Sequence, residues 1–153
     1  ARDLETGLEQ SITVTATSTS GAVVTFTGLV RGEVDGKRLA AVTLEHYPGM
    51  TERELERIEA EAHRRWPLAA SSIVHRTGRL VPGDRIVLVV TASAHRQAAF
   101  EAAEFLMDFL KTAAPFWKQE EIEGGSSRWV AAKDADDAAL DRWQPPARTP
   151  AIT

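Results

Sequence analysis

From Ser93 to Pro115 the sequence keeps a helical period long enough to constrain everything packed around it. Ala99, Ala103, Leu106 and Leu110 recur on one helical face with Phe100 and Met107 beside them, and Glu101, Glu104 and Asp108 fill the outer side. Pro115 steers Ala114 out of the α region, which ends the helix there. His95 and Arg96 open the element and Lys111 closes it, followed by Phe116, Trp117, Lys118 and Glu120. A merely solvated helix scatters Lys and Arg and pairs them with Glu four positions away. Basic residues gathered at the two ends suggest anion binding there; the plainer reading is a core helix with polar ends.

The 153 residues suit one domain with a single substantial core. A net charge of −4 argues against broad nucleic-acid binding but leaves room for a small basic pocket. No apolar run reaches the length of a membrane span and no signal-peptide pattern opens the sequence, so a cytoplasmic protein with no membrane contact is expected. Cysteine is absent, which removes disulfides, thiolate metal sites and a cysteine nucleophile. Any sulfur chemistry must use sulfur brought by another molecule. His46, His63, His75 and His95 lack tight metal-ligand spacing, and neither metal nor cofactor is expected.

In order, residues 3–10 suit a short helix and 11–17 alternate like a strand. Residues 21–31 form a β-branched strand interrupted at Gly28, a sign of a bulge or a close backbone approach. Residues 32–37, with Asp35-Gly36, form a hairpin loop, and 39–47 return as a second strand. Thr51 and Glu54 fit a capping box that opens a helix running to Trp66. Residues 71–79 and 85–91 are strands, the second so apolar over Ile86–Val90 that it must be central and covered on both faces. His75 and Arg76 read as a polar strand face. Residues 116–121 and 128–131 form a hairpin carrying Trp117 and Trp129, and 134–143 a short final helix. These elements predict an α+β domain, mostly antiparallel sheet with packed helices. Its expected parts are an N-terminal segment 1–20, a single domain 21–143 and a tail 144–153.

Several segments, in unbroken order, resemble one family. They are Gly21–Arg31, Leu44–Met50, His75–Gly78, Pro82-Gly83-Asp84, Ser93–Arg96 with Ala99-Phe100, Met107-Asp108, Lys111, Ala114–Lys118 with Glu120, and Arg128-Trp129-Val130. Together they resemble the large, catalytic subunit of molybdopterin synthase. The resemblance implies an α/β hammerhead-like fold and a sulfurtransferase of molybdenum cofactor biosynthesis. That activity moves sulfur from the C-terminal Gly-Gly thiocarboxylate of a small ubiquitin-like partner onto cyclic pyranopterin monophosphate, making the dithiolene of molybdopterin.

Carried residue by residue, the family's substrate pocket falls on Phe26, Leu29, Val30, Arg31, His95, Arg96, Met107, Lys111, Lys118, Gln119 and Glu120. Where the family's pattern has Arg just past the Trp129-Val130 strand, this sequence has Lys133, which lacks the guanidinium's fork of donors; Arg128 stands nearby to compensate. Lys111 and Lys118 are the catalytic candidates, Lys111 for proton transfer or for orienting the thiocarboxylate, Lys118 as a substrate contact. Glu120 is expected to orient Lys118. Arg31, His95 and Arg96 suit phosphate and oxyanion binding, and two neighbouring lysines suit acid–base work.

His95 and Lys111 lie sixteen positions apart, roughly 24 Å along a continuous helix. One pterin pocket using both ends therefore needs two copies, a homodimer with shared sites that becomes a heterotetramer with two carriers. Two other readings use the same residues: a non-catalytic module binding a phosphate-bearing ligand, and an adaptor for a ubiquitin-like protein.

Overall fold

The computed structural model describes residues 19–130 and 134–144. The expected helix over 3–10, the strand over 11–17, Lys133 and residues 145–153 of the tail lie outside those residues.

Among the described residues the strands form two antiparallel sheets. In the first, β1 (Ala22–Leu29), β6 (Arg85–Ser93) and β4 (Leu68–His75) lie in the order β1-β6-β4. The apolar run of β6 takes the central place that its composition demands. In the second, β2 (Glu33–Val34), β3 (Lys37–His46), β7 (Phe116–Ile122) and β8 (Ser126–Val130) follow one another, and β5 (Gly78–Leu80) also pairs with β3.

Residues 71–79 do not form one strand, as the sequence suggested. The chain leaves the first sheet after His75 and enters the second at Gly78, whose φ of 82° permits a bend that a side chain would resist. The Asp35-Gly36 hairpin is present, with both residues at positive φ, 50° and 73°, the pairing that a tight primed turn needs. The break at Gly28 is also real. The ladder slips between Gly28 and Leu29, and a Cβ on Gly28 would lie 2.7 Å from Val87 Cγ1.

Helix α1 (Met50–Arg65) begins two residues earlier than the Thr51–Glu54 pattern indicated. Gly49, at φ 82°, is the N-cap, and its N–H donates to the Glu52 carboxylate. Glu54 instead takes the Arg57 guanidinium, and Thr51 is buried in the first turn. The capping logic holds in kind, shifted by the glycine's access to positive φ.

Helix α2 (Arg96–Thr112) is continuous and lies across β1 and β6. It buries Ala98, Ala99, Ala102, Ala103, Phe105, Leu106 and Leu110, a wider face than the heptad-like reading gave. Phe105 is the buried aromatic, whereas Phe100 points out and is 61% exposed. Leu55, Ile58 and Ala62 of α1 meet Ile73, Val87, Val89 and the α2 face in one core. Full burial of a side chain such as Phe105 contributes roughly 2–3 kcal/mol. Val30, Leu39, Val42, Leu44 and Leu80 form a second cluster under the second sheet.

Both ends of α2 are pinned. Near its start, Thr91 Oγ1 donates to the Ala99 carbonyl at 2.7 Å and Ser93 Oγ to the Pro67 carbonyl at 2.9 Å. Near its end, α3 (Asp134–Asp141) packs on it, and Trp143 just beyond wedges against Trp66 and Phe105 while donating Nε1–H to Asp108 at 2.7 Å. Among the described residues no helix is long and apolar enough to cross a membrane.

Candidate functional site

Alternation along β7 decides which candidate residues share a face. Lys118 and Glu120 stand opposite Leu44 and Val42 of β3, both buried, so the two point toward the second core cluster. Trp117 and Gln119 point the other way, with Gln119 beside Trp129 across the β7–β8 ladder. Gln119 therefore lies on the opposite face of β7 from Lys118 and Glu120.

Glu120 is only 1% exposed. A buried carboxylate is costly unless its charge is met, and here two cations meet it. Lys118 Nζ lies 3.0 Å from Oε1, and the Arg128 guanidinium donates to Oε2 at 3.0 Å from the facing strand β8. Burial alone raises the Glu120 pKa, but its hydrogen bonds and attraction to Lys118 and Arg128 outweigh this and hold it below the ordinary carboxylate range. The contact expected between Lys118 and Glu120 is thus formed. Arg128 also reaches the carboxylate of Asp35, at 3.0 Å, on the β2–β3 turn. Sequence reasoning missed Asp35 as a member of this cluster; its one signal, the Asp-Gly pair, reports a turn.

Lys111 occupies the last turn of α2 and is exposed; Thr112 and the turn at Ala113–Pro115 separate it from β7. Met107, one turn earlier, is half-buried against the first core. His95 is the N-cap of α2 and Arg96 its first residue, both exposed at the opposite end. A continuous helix leaves roughly 24 Å between His95 and Lys111, so a single copy of the chain does not bring them together.

Phe26 and Leu29 lie on β1, 41% and 58% exposed, and Arg31 follows at the surface. The Val30 side chain goes into the second core cluster, and its N–H and carbonyl are taken by Asp84 and Gly83. The Val30 side chain is thus committed to the core, whereas Phe26, Leu29 and Arg31 lie at the surface. Beside β7, His75 stacks on Phe116 with ring centroids 4.0 Å apart and its Nδ1 donates to the Arg76 carbonyl at 2.8 Å. The polar-face reading of His75 is corrected by this stack. No pattern of spacing reports it, because the two rings come from different sheets.

The chain is also similar to known proteins. The family model described as "MoaE protein" matches residues 3–113, which includes most of the segment ahead of Gly21. The chain belongs to the MoaE family. A MoaE-family relative from Rhizobium meliloti (strain 1021), named molybdopterin synthase catalytic subunit, is 56% identical over 142 residues, 92% of this chain and 90% of that protein. A MoaE structure from Burkholderia ambifaria MC40-6 is 56% identical with a TM-score of 0.67, covering 80% of each chain. The Staphylococcus aureus molybdopterin synthase structure is 38% identical with a TM-score of 0.72, covering 76% of this chain and 85% of that one. The MoaE fold is thus the α+β, antiparallel arrangement that the element order predicts.

Proposed function

We propose that this chain is the catalytic subunit of molybdopterin synthase and moves sulfur from a small ubiquitin-like carrier onto cyclic pyranopterin monophosphate. The observation that carries the reading is the Lys118–Glu120 pair, a lysine held by a buried carboxylate two residues along one strand, just past the helix whose last turn holds Lys111. It is supported by the names of relatives spanning nearly the whole chain, which describe one subunit of a larger enzyme. The catalytic domain is assigned to residues 21–143 and the work to the cytoplasm.

The chain has no cysteine, so the sulfur must arrive on a partner. A carrier ending in a Gly-Gly thiocarboxylate suits that need. Its sulfur bonds to a carbon of the precursor as a carbon–oxygen bond there breaks, the oxygen leaving as water or staying on the opened cyclic phosphate. Water then cleaves the acyl–sulfur bond, leaving the carrier as a carboxylate and the sulfur on the pterin. Two such rounds give a dithiolene. Lys111 orients the thiocarboxylate or moves a proton, and Lys118 contacts the substrate. Arg31, His95 and Arg96 hold its anionic oxygens, with Phe26, Leu29 and Met107 lining the pocket.

Because α2 separates His95 from Lys111, the site is assembled from two copies: His95 and Arg96 of one protomer complete the pocket holding Lys111 and Lys118 of the other. With two carriers the assembly is a heterotetramer. The test is reconstitution of the purified chain with thiocarboxylated carrier and the pterin precursor. Dithiolene product is expected; none from folded protein overturns the assignment.

A further inference from the structure

Arg128 carries a positive charge beside the candidate site and invites the reading of a phosphate ligand. Its contacts point elsewhere. Its Nε and one terminal nitrogen both lie 3.0 Å from Glu120 Oε2, and that terminal nitrogen also lies 3.0 Å from Asp35 Oδ2. A guanidinium shared between two carboxylates has donors committed in a fixed plane. Asp35 itself sits in the left-handed region at φ 50°, in the tight turn between β2 and β3. Four residues from three places in the chain therefore form one line of alternating charge: Lys118, Glu120, Arg128, Asp35.

We propose that Arg128 and Asp35 are positioning residues that act on Lys118 through the buried Glu120, and that Arg128 is not a ligand of the substrate's phosphate. The inference rests on the sulfur-transfer reading for its kinetic arm only. With Arg128 in place, the Glu120 charge is divided between two cations, one on each oxygen. Without it, the whole charge of a buried carboxylate falls on Lys118 and draws the ammonium into a tighter pair, away from substrate. Asp35 holds the guanidinium through the terminal nitrogen that Glu120 also takes, tying the β2–β3 turn to the site.

The test compares Arg128→Gln, Arg128→Lys, Asp35→Asn and the Asp35→Asn/Arg128→Gln double variant in the full chain, with thiocarboxylated carrier and pterin precursor. A positioning role lowers kcat for Arg128→Gln about tenfold, with the precursor KM within about twofold. Arg128→Lys keeps the charge and recovers part of kcat. The double variant is no worse than Arg128→Gln alone, because both changes break one line of contacts. A KM that rises tenfold at unchanged kcat makes Arg128 a ligand and overturns the proposal, as do additive losses in the double variant.

A second arm needs no turnover. Acylation of Lys118 by acetic anhydride, followed by peptide mass spectrometry, slows in Arg128→Gln and is restored toward wild type in Arg128→Lys. An unchanged Lys118 rate with folded protein overturns the proposal independently. If wild type makes no product but the labelling rates shift as described, the sulfur-transfer reading fails while the positioning role stands.

Discussion

Lys118 Nζ lies 3.0 Å from Glu120 Oε1, two residues along the same face of β7, and the carboxylate it meets is almost wholly buried. The pair therefore differs from an exposed ion pair, whose worth is small. Glu120 cannot turn to solvent to relieve a lost partner, so the orientation of Lys118 is built into the sheet.

Glu120→Gln keeps the shape but leaves an amide between two cations. We expect a loss of about 1–2 kcal/mol of stability, limited because Lys118 and Arg128 are each close to half exposed. Product formation should fall with it. The Glu120 pKa is held below the ordinary 4.5, so its contribution is present above that pH and lost as the pH falls below it. Urea titrations at pH 7 and pH 3 should show the gap between wild type and variant closing at low pH. A gap as wide at pH 3 as at pH 7 contradicts the assignment.

His75 predicts a pH dependence of a different kind. Burial lowers its pKa, the Arg76 carbonyl partly opposes this, and the charge of His46 lowers it further. The folded state thus disfavours the imidazolium. Stability should be unaffected above pH 6.5, the ordinary value, and should fall as the pH drops below it, where the unfolded chain takes up the proton first. His75→Phe keeps a ring to stack on Phe116, 4.0 Å away, and should flatten the melting temperature between pH 7 and pH 5. An equally steep profile in the variant assigns the effect to other groups.

Gly21 ties the first strand to the start of α2. Its N–H donates to the Ser93 carbonyl at 3.0 Å, and a Cβ placed on it would lie 2.3 Å from the Ala94 carbonyl oxygen. That neighbour is backbone, so it must move, and His95 follows it directly. Gly21→Ala is expected to cost about 1–3 kcal/mol by denaturant unfolding. It should also raise the precursor KM by displacing His95 and Arg96. A stable variant with normal KM shows that the α2 start tolerates the shift.

The length of α2 predicts complementation. His95→Ala and Lys111→Ala chains should each be inactive alone. Co-refolded in equal amounts, about half of the dimers are mixed and each has one intact site of two, giving about a quarter of wild-type activity. Native mass spectrometry verifies the mixed dimers. No recovery in their presence rules out sites shared across the two copies.

What the sequence carried was local. The helical period from Arg96 to Thr112, the apolar run that makes β6 central and the two-residue spacing of Lys118 and Glu120 all follow from covalent spacing and backbone geometry. So does the separation of His95 from Lys111, which a rigid helix converts into distance. The misread details were also local but conditional: the α1 cap moved to Gly49, and the strand over 71–79 divided at Gly78, because positive φ at each glycine opened a route that other residues lack.

What the tertiary structure decided was partnership across the sheets. Arg128 faces Glu120 only because β7 and β8 pair in that register, and one step of slip would turn Arg128 to the other face. Asp35 joins them because the β2–β3 turn folds over the same site, 93 residues away in sequence. His75 meets Phe116 across two sheets for the same reason. Periodicity fixes which way a side chain points on its own strand. Which residue stands opposite depends on register, and register is settled by burying the whole sheet at once.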